Sequence, residues 1–304
     1  MASLPFAGLD DEFALVAETA AETGLPGGGL PLVRRGWVNL PAGGRVSGVL
    51  WGGGPPELVF LHDSGESARV WDAVALAAGR PSVALDLPGH GRSSWRRDGR
   101  YEPGEMATAV ATAIHSLAAR AGLVAGTGLG GLTALALRRR IPALLSRLAL
   151  VNTLPGSPPG RMQPRTEAER FASRETAFAV LAARRPERSR SSLRREILHE
   201  LIQDPDGWWV WRHHPGNLPA RAGAQAGEDE TLWTELTQLT TATALVRSDW
   251  AGRLTAADLA RLRQRAPHVE VLTVPGAGED IVATQPTALA SALNQLVARE
   301  VQQR

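Results

Sequence analysis

Residues Gly126 to Gly131 read Gly-Thr-Gly-Leu-Gly-Gly, between an apolar run at Leu123 to Ala125 and a run of helical spacing at Leu129 to Leu137. Glycines flanking a turn let a strand and the helix after it approach more closely than a Cβ permits. The pattern is that of a G-x-S-x-G elbow, with Gly128 at its centre. A glycine carries no side-chain oxygen, so covalent acyl transfer through that position is excluded. The rival reading is the Gly-rich loop of a dinucleotide fold, which expects an acidic residue about 20 positions later at a second strand end. Asn152 stands there instead, and the elbow reading is preferred.

A chain of 304 residues with 43% apolar content has enough for one sizeable α/β core with an insertion. It contains no Cys and no Lys, so all 33 basic residues are Arg. The first absence excludes disulfides, thiolate catalysis and Cys-ligated metals; the second excludes Schiff-base and pyridoxal phosphate chemistry. An isoelectric point near 10.1 beside a formal charge of only +2 has the same origin. With one Tyr and neither Lys nor Cys, little titrates between neutrality and the arginine range, so the value carries no argument for nucleic acid. The arginines of Arg138 to Arg140 and Arg184 to Arg195 lie in helical patterns and read as solvated faces. No run of about 18 apolar residues occurs. The N-terminal stretch carries Asp10, Asp11, Glu12, Glu18 and Glu22 rather than the basic start of a signal peptide. A cytoplasmic protein without membrane contact is the expectation.

Helical spacing over residues 9 to 25 stops at Gly24 to Gly29, so residues 1–30 read as an N-terminal helical extension, a lid or a contact with a second copy or a pathway partner. Short β-like runs at Leu32 to Val38 and Val46 to Trp51 precede a buried-type strand at Glu57 to Leu61, and strand and helix then alternate to Val151. Residues 156–238 break that rhythm with Pro, Arg and the group Trp208, Trp209 and Trp211. Alternation resumes at Ala242. The predicted architecture is α/β: a mostly parallel sheet with helices on both faces, built from residues 31–155 and 239–304, and a helical cap at 156–238.

Four motifs carry a resemblance to the α/β-hydrolase superfamily over roughly residues 33–300. Leu61-His62-Asp63-Ser64-Gly65, followed by Trp71-Asp72, stands for its H-G-x-G loop, and Asp86-Leu87-Pro88-Gly89-His90-Gly91-Arg92-Ser93 for its D-x-P-G-x-G-x-S turn. The elbow follows, and Pro275-Gly276-Ala277-Gly278 precedes the last helix. The resemblance implies that Gly128 occupies the nucleophile position and that Asn152 or Ala251 occupies the acid position, with Asp249 close by. Glu279 takes the place of the histidine, and Asp63 sits in the oxyanion loop, whose backbone donors are assigned to Asp63, Ser64 and Leu129.

Without the nucleophile there is no acyl-transfer reason to keep its base. A carboxylate at Glu279, desolvated under a Trp-bearing cap and facing a helix N-terminus, suits general acid/base work beside a carbonyl. The leading expectation is therefore a non-hydrolytic enzyme of specialised metabolism, an epimerase, isomerase or cyclase, acting on a small-molecule or peptidic substrate. Glu279 and Asp63 are its catalytic candidates. Thr127, His62, Trp208, Trp209 and Trp211 are expected to line an apolar pocket. Neither metal nor cofactor is expected. A noncatalytic ligand-binding pseudohydrolase is the alternative, and a residual hydrolase using Thr127 or a Glu279-activated water is third.

Overall fold

Short apolar runs become central strands because residues buried on both faces of a sheet need no alternation. A computed structural model describes residues 6, 11–24, 29–139, 146–157, 169–186, 188–214, 222–250 and 252–298. The chain opens with α1 (Val16–Glu22) and the antiparallel pair β1 (Val33–Asn39) and β2 (Arg45–Trp51). Alternation follows through β3 (Leu58–Leu61), α2 (Asp72–Ala78), β4 (Ser82–Leu85), α3 (Pro103–Leu117), β5 (Leu123–Thr127), α4 (Gly128–Ala136) and β6 (Arg147–Val151). An inserted segment holds β7 (Arg170–Phe171), α5 (Arg174–Arg184), α6 (Arg190–Glu200), β8 (Leu201–Gln203), β9 (Trp209–Trp211) and α7 (Ala222–Thr237). The chain then returns through β10 (Ala242–Ser248), α8 (Ala256–Arg265), β11 (Glu270–Val274), α9 (Ile281–Thr284) and α10 (Pro286–Ala298).

Eight strands form one sheet in the order β1-β2-β4-β3-β5-β6-β10-β11, parallel from β4 onward. Helices cover both faces: α3, α4 and α7 bury Ile114, Leu135 and Trp233 on one, while α1, α2 and α10 bury Val16, Leu76 and Leu293 on the other. Each fully buried leucine of this kind contributes about 2 kcal/mol. From β3 the chain runs outward to β4 and then crosses back to β5, so the direction of winding reverses between β3 and β5. Crevices in parallel sheets open beyond the strand ends at such a reversal. Leu61 pairs with Gly126 in register, and Asp63 and Gly128 therefore leave the sheet side by side.

The insertion carries helices, as expected of a helical cap, and a small sheet besides. Phe171 pairs with Trp209 and Leu201 with Trp211, giving a three-stranded antiparallel sheet in which the Trp-Val-Trp run alternates its faces. With α5 and α6 it closes a core of its own around Phe171, Phe178, Leu193, Ile197 and Trp211. Helix α7 packs against α4 of the body and buries Trp233 there. Along α2, helix α1 buries Val16 and Ala20, and the acids in and before it reach two ways. Glu12 pairs with Arg35 and Arg92 of the body at 2.8 and 2.7 Å, while Glu18 and Glu22 pair with Arg194 and Arg195 of α6 at 2.8 and 2.7 Å. Among the described residues no helix is long and apolar enough to cross a membrane.

Candidate active site

The turn between β5 and α4 is as tight as its glycines imply. A Cβ on Gly126 would come within 2.6 Å of the Gly130 backbone, and one on Gly130 within 2.4 Å of the Leu61 carbonyl oxygen. Helix α4 begins at Gly128, one residue earlier than predicted, with φ of +49° at that glycine. The Gly128 N–H donates to Thr153 Oγ1 at 2.6 Å, which fixes the first turn of α4 to the loop after β6.

Asp63 fills the space that a side chain at position 128 would need. A Cβ built on Gly128 lies 1.8 Å from Asp63 Cγ. The carboxylate caps α4 from a neighbouring strand end: its Oδ1 accepts the Leu129 N–H at 2.8 Å and the Ser64 N–H at 2.7 Å. Thr127, at the helix's own cap position, makes no side-chain capping bond. Asp63 Oδ2 accepts from Arg253 Nη2 at 2.7 Å, and Arg253 is only 7% exposed. Burial by itself would raise the Asp63 carboxyl, but the Arg253 charge and the backbone donors outweigh it and hold the group below the usual carboxylate range. The same ion pair, with Glu66 and Glu279 in electrostatic reach, overcomes the burial of Arg253 and keeps its guanidinium firmly charged.

Glu279 follows β11, half-buried, in the loop ahead of α9. Its carbonyl oxygen accepts Asn152 Nδ2 at 2.9 Å. Asn152 has φ of +49°, the one positive value outside glycine among the described residues, and its N–H donates to the Val246 carbonyl oxygen at 2.8 Å. It braces the ends of β6 and β10 against the Glu279 loop. Ala251, the other acid position, lies outside the described residues. Asp249 is a brace as well, accepting the Gly276 N–H at 3.0 Å on an exposed turn. Glu66 accepts the Asp63 N–H at 3.0 Å, and Asp280 pairs with Arg188 of the cap at 2.6 Å, so both flanking acids are engaged.

The expected pocket residues do not converge in this way. His62 is completely buried; its Nε2 accepts the Leu87 N–H at 2.9 Å, leaving a proton on Nδ1 for the Asp63 carbonyl oxygen at 2.6 Å. Burial holds its imidazole below the ordinary range, against the pull of Asp63 and Asp86. Thr127 is buried at the helix start. Trp211 belongs to the core of the cap, Trp209 lies under the Arg174 guanidinium at 4.2 Å, and Trp208 is 42% exposed. A cavity of about 60 Å³ does separate cap from body, but ionisable side chains line much of it, among them Glu66, Arg69, Asp72, Arg188, His199 and Asp280. Trp211 packs inward, with Trp209 against it, because the small sheet needs a core of its own, and the seam is left to arginines and acids.

Residues 58–292 match the alpha/beta hydrolase family. The chain belongs to that family. Over 290 residues, 92% of this chain and 93% of the relative, it is 36% identical to the esterase Rv0045c of Mycobacterium tuberculosis. A crystal structure of that esterase superposes with a TM-score of 0.80 over 97% of this chain and all of the other. An E-2-(acetamidomethylene)succinate hydrolase shares the fold at 20% identity, with a TM-score of 0.73 over 88% of this chain and all of the other.

These relatives correct the functional expectation drawn from the sequence. An alpha/beta hydrolase aligned almost end to end with an esterase points to hydrolysis, and not to an epimerase, isomerase, cyclase or noncatalytic pseudohydrolase. Of the three expectations it is the third, a hydrolase without the seryl oxygen, that the relatives favour. Ester hydrolysis needs an attacking oxygen, a base and donors for the oxyanion, and water can supply the first. Sequence reasoning also missed Arg253. The acid was expected in the loop after β10, and the available signal was a cation in that loop together with an unpaired-looking anion at Asp63.

Proposed function

We propose that this protein hydrolyses carboxylic esters and that it is an atypical member of its family, with the triad roles reassigned and a water in place of the seryl oxygen. The supporting observation is the position of the Asp63 carboxylate. An anionic oxygen held by the Leu129 and Ser64 N–H groups at the start of α4 stands where a tetrahedral intermediate would place its oxyanion, which supports those two as its donors; the Asp63 N–H is taken by Glu66. In the proposed reaction Asp63 turns aside and the ester carbonyl oxygen takes the N–H groups of Leu129 and Ser64, with Arg253 beside them. Glu279 removes a proton from a water lying over Gly128, and the resulting hydroxide adds to the carbonyl carbon. Collapse of the intermediate breaks the bond to the alkoxide, which takes the proton back from Glu279 and leaves as the alcohol. Asn152 positions the loop that carries the base.

The test uses p-nitrophenyl esters of graded acyl length in ¹⁸O-water. The product acid should carry one ¹⁸O, with no pre-steady-state burst and no labelling by fluorophosphonates, and Glu279→Gln should lower kcat by about 100-fold or more. An acylated residue, an undiminished kcat in Glu279→Gln, or no turnover of any ester would each remove the proposal.

A further inference from the structure

The Asp63 carboxylate has the geometry of a bound ligand. One oxygen sits at the start of α4, taking the N–H groups of Leu129 at 2.8 Å and Ser64 at 2.7 Å, and the other takes Arg253 Nη2 at 2.7 Å. The Leu129 donor does not depend on Asp63 for its position. It is set by the β5–α4 turn, by the close approach of Gly130 to Leu61 and by the Gly128 N–H bond to Thr153. The cation is built in as well: Arg253 is more than nine-tenths buried, and its Nε has no hydrogen-bond partner. A guanidinium presents its donors as a planar fork, and Asp63 takes only one of them, so a donor for a second oxygen contact is left unused.

We propose that Leu129 N–H, Ser64 N–H and Arg253 form a carboxylate-binding site, that Asp63 is its tethered occupant, and that a free monocarboxylate binds there when Asp63 is withdrawn. The inference rests on the hydrolase reading only for the natural ligand, the acid released from an ester. Binding itself requires no turnover. A planar anion with two oxygens bridges the helix start and the guanidinium, whereas a spherical anion such as chloride reaches one or the other. Gly128 is part of the same device, since with a Cβ 1.8 Å from Asp63 Cγ, a side chain at 128 and the tethered carboxylate exclude one another.

The experiment titrates Asp63→Gly with sodium acetate against sodium chloride at constant ionic strength and reads the thermal midpoint. Acetate should raise it by roughly 2–4 °C near 100 mM. The wild-type protein and Asp63→Gly/Arg253→Met should respond equally to the two salts. If Asp63→Gly fails to fold in either salt, Asp63→Asn, which keeps the volume and loses the charge, is titrated in its place and should show a smaller shift of the same sign. Equal responses to acetate and chloride in the folded variant, or an acetate response that survives loss of Arg253, overturn the inference. Acetate binding without esterase turnover would leave it standing and remove the hydrolase reading; turnover without acetate binding would do the reverse.

Discussion

Two aspartates, Asp86 fully buried and Asp63 partly so, are each paired with an arginine and play different parts in this molecule. Asp86 is caged. It accepts Arg35 Nη1 at 2.7 Å, the Ala68 N–H at 2.8 Å, the Arg92 N–H at 3.0 Å and the Ser47 hydroxyl, and a Cβ on Gly91 would come 2.2 Å from it. Strands β1 and β2 and two loops have been shaped around that side chain, so the cage exists only with the carboxylate in it. Asp63 uses donors that the elbow supplies anyway, and its side chain retains 18% exposure. For both groups burial pushes the carboxyl up, and nearby Arg and hydrogen-bond donors more than reverse it. Similar electrostatics can therefore hold a fold together in one place and occupy a site in another. Removing each group separates the two cases.

The largest effect is expected at Asp86. Asp86→Ala strips Arg35 of one of its two acids and leaves four donors of a buried cage unmatched, a loss of about 3–5 kcal/mol in urea unfolding. An effect under 1 kcal/mol would dissolve the contrast. Next is the shared volume at the elbow. Gly128→Ser should destabilise by about 2–3 kcal/mol, from a side chain at positive φ and its collision with Asp63. In an Asp63→Gly background at least half of that loss should disappear, a coupling that a double-mutant cycle measures directly. Purely additive losses would mean that the two residues do not compete for space.

Acid should sharpen the comparison further. His199 is held well below its ordinary value by burial and then by Arg69, Arg35, Arg195 and Arg212, and His62 is lowered by burial. Folded values below the unfolded one mean that protons favour the unfolded chain. This stability is therefore complete above about pH 6.5 and is lost as pH falls through the window beneath it, by at most about 1.4 kcal/mol per pH unit for each imidazole. His199→Gln should flatten the urea midpoint between pH 7 and 5. The aspartates lose their share only below about pH 4, as protons enter the depressed carboxylates, and both Asp86→Asn and Asp63→Asn should flatten that lower limb. An acid limb left unchanged by Asp63→Asn would mean that its carboxylate is not ionised in the folded protein. The smallest effect belongs to the seam: Arg188→Gln breaks a partly exposed pair with Asp280 and should cost under about 1 kcal/mol, vanishing in high salt.

The body was legible because its signals are local. Apolar runs without alternation, the small residues at 126 and 130, and the Asp86 turn each state a backbone requirement in consecutive positions, and the structure meets them. Of the proposed site, single chain segments show Gly128 without an oxygen, a carboxylate at Asp63 and a carboxylate at Glu279. What joins them is not local. Arg253 meets Asp63 across 190 positions, and nothing in the periodicity of either segment announces that contact. The cap sheet escaped for a related reason. Two- and three-residue strands are too short for a period of two to be distinguished from a turn, and the partners of Trp209 and Trp211 come from two separate earlier strands, one of them on the far side of α5 and α6.

The N-terminal helix α1 ties the body to the cap by two kinds of force at once. Val16 and Ala20 hold it to α2 by contact with oil-like surface, while Glu18 and Glu22 hold α6 through charge. Hydrophobic attachment weakens on cooling, and exposed ion pairs weaken with added salt. The helix is then a strut with mixed fastenings: cold loosens its apolar footing on the body, and salt loosens its grip on the cap together with the Glu12 pairs that precede it. In the proposed reaction the rate of ester turnover should rise with ionic strength in the intact protein and lose that dependence when Glu18 and Glu22 are replaced by Gln. A salt dependence unchanged by those replacements would place the grip elsewhere.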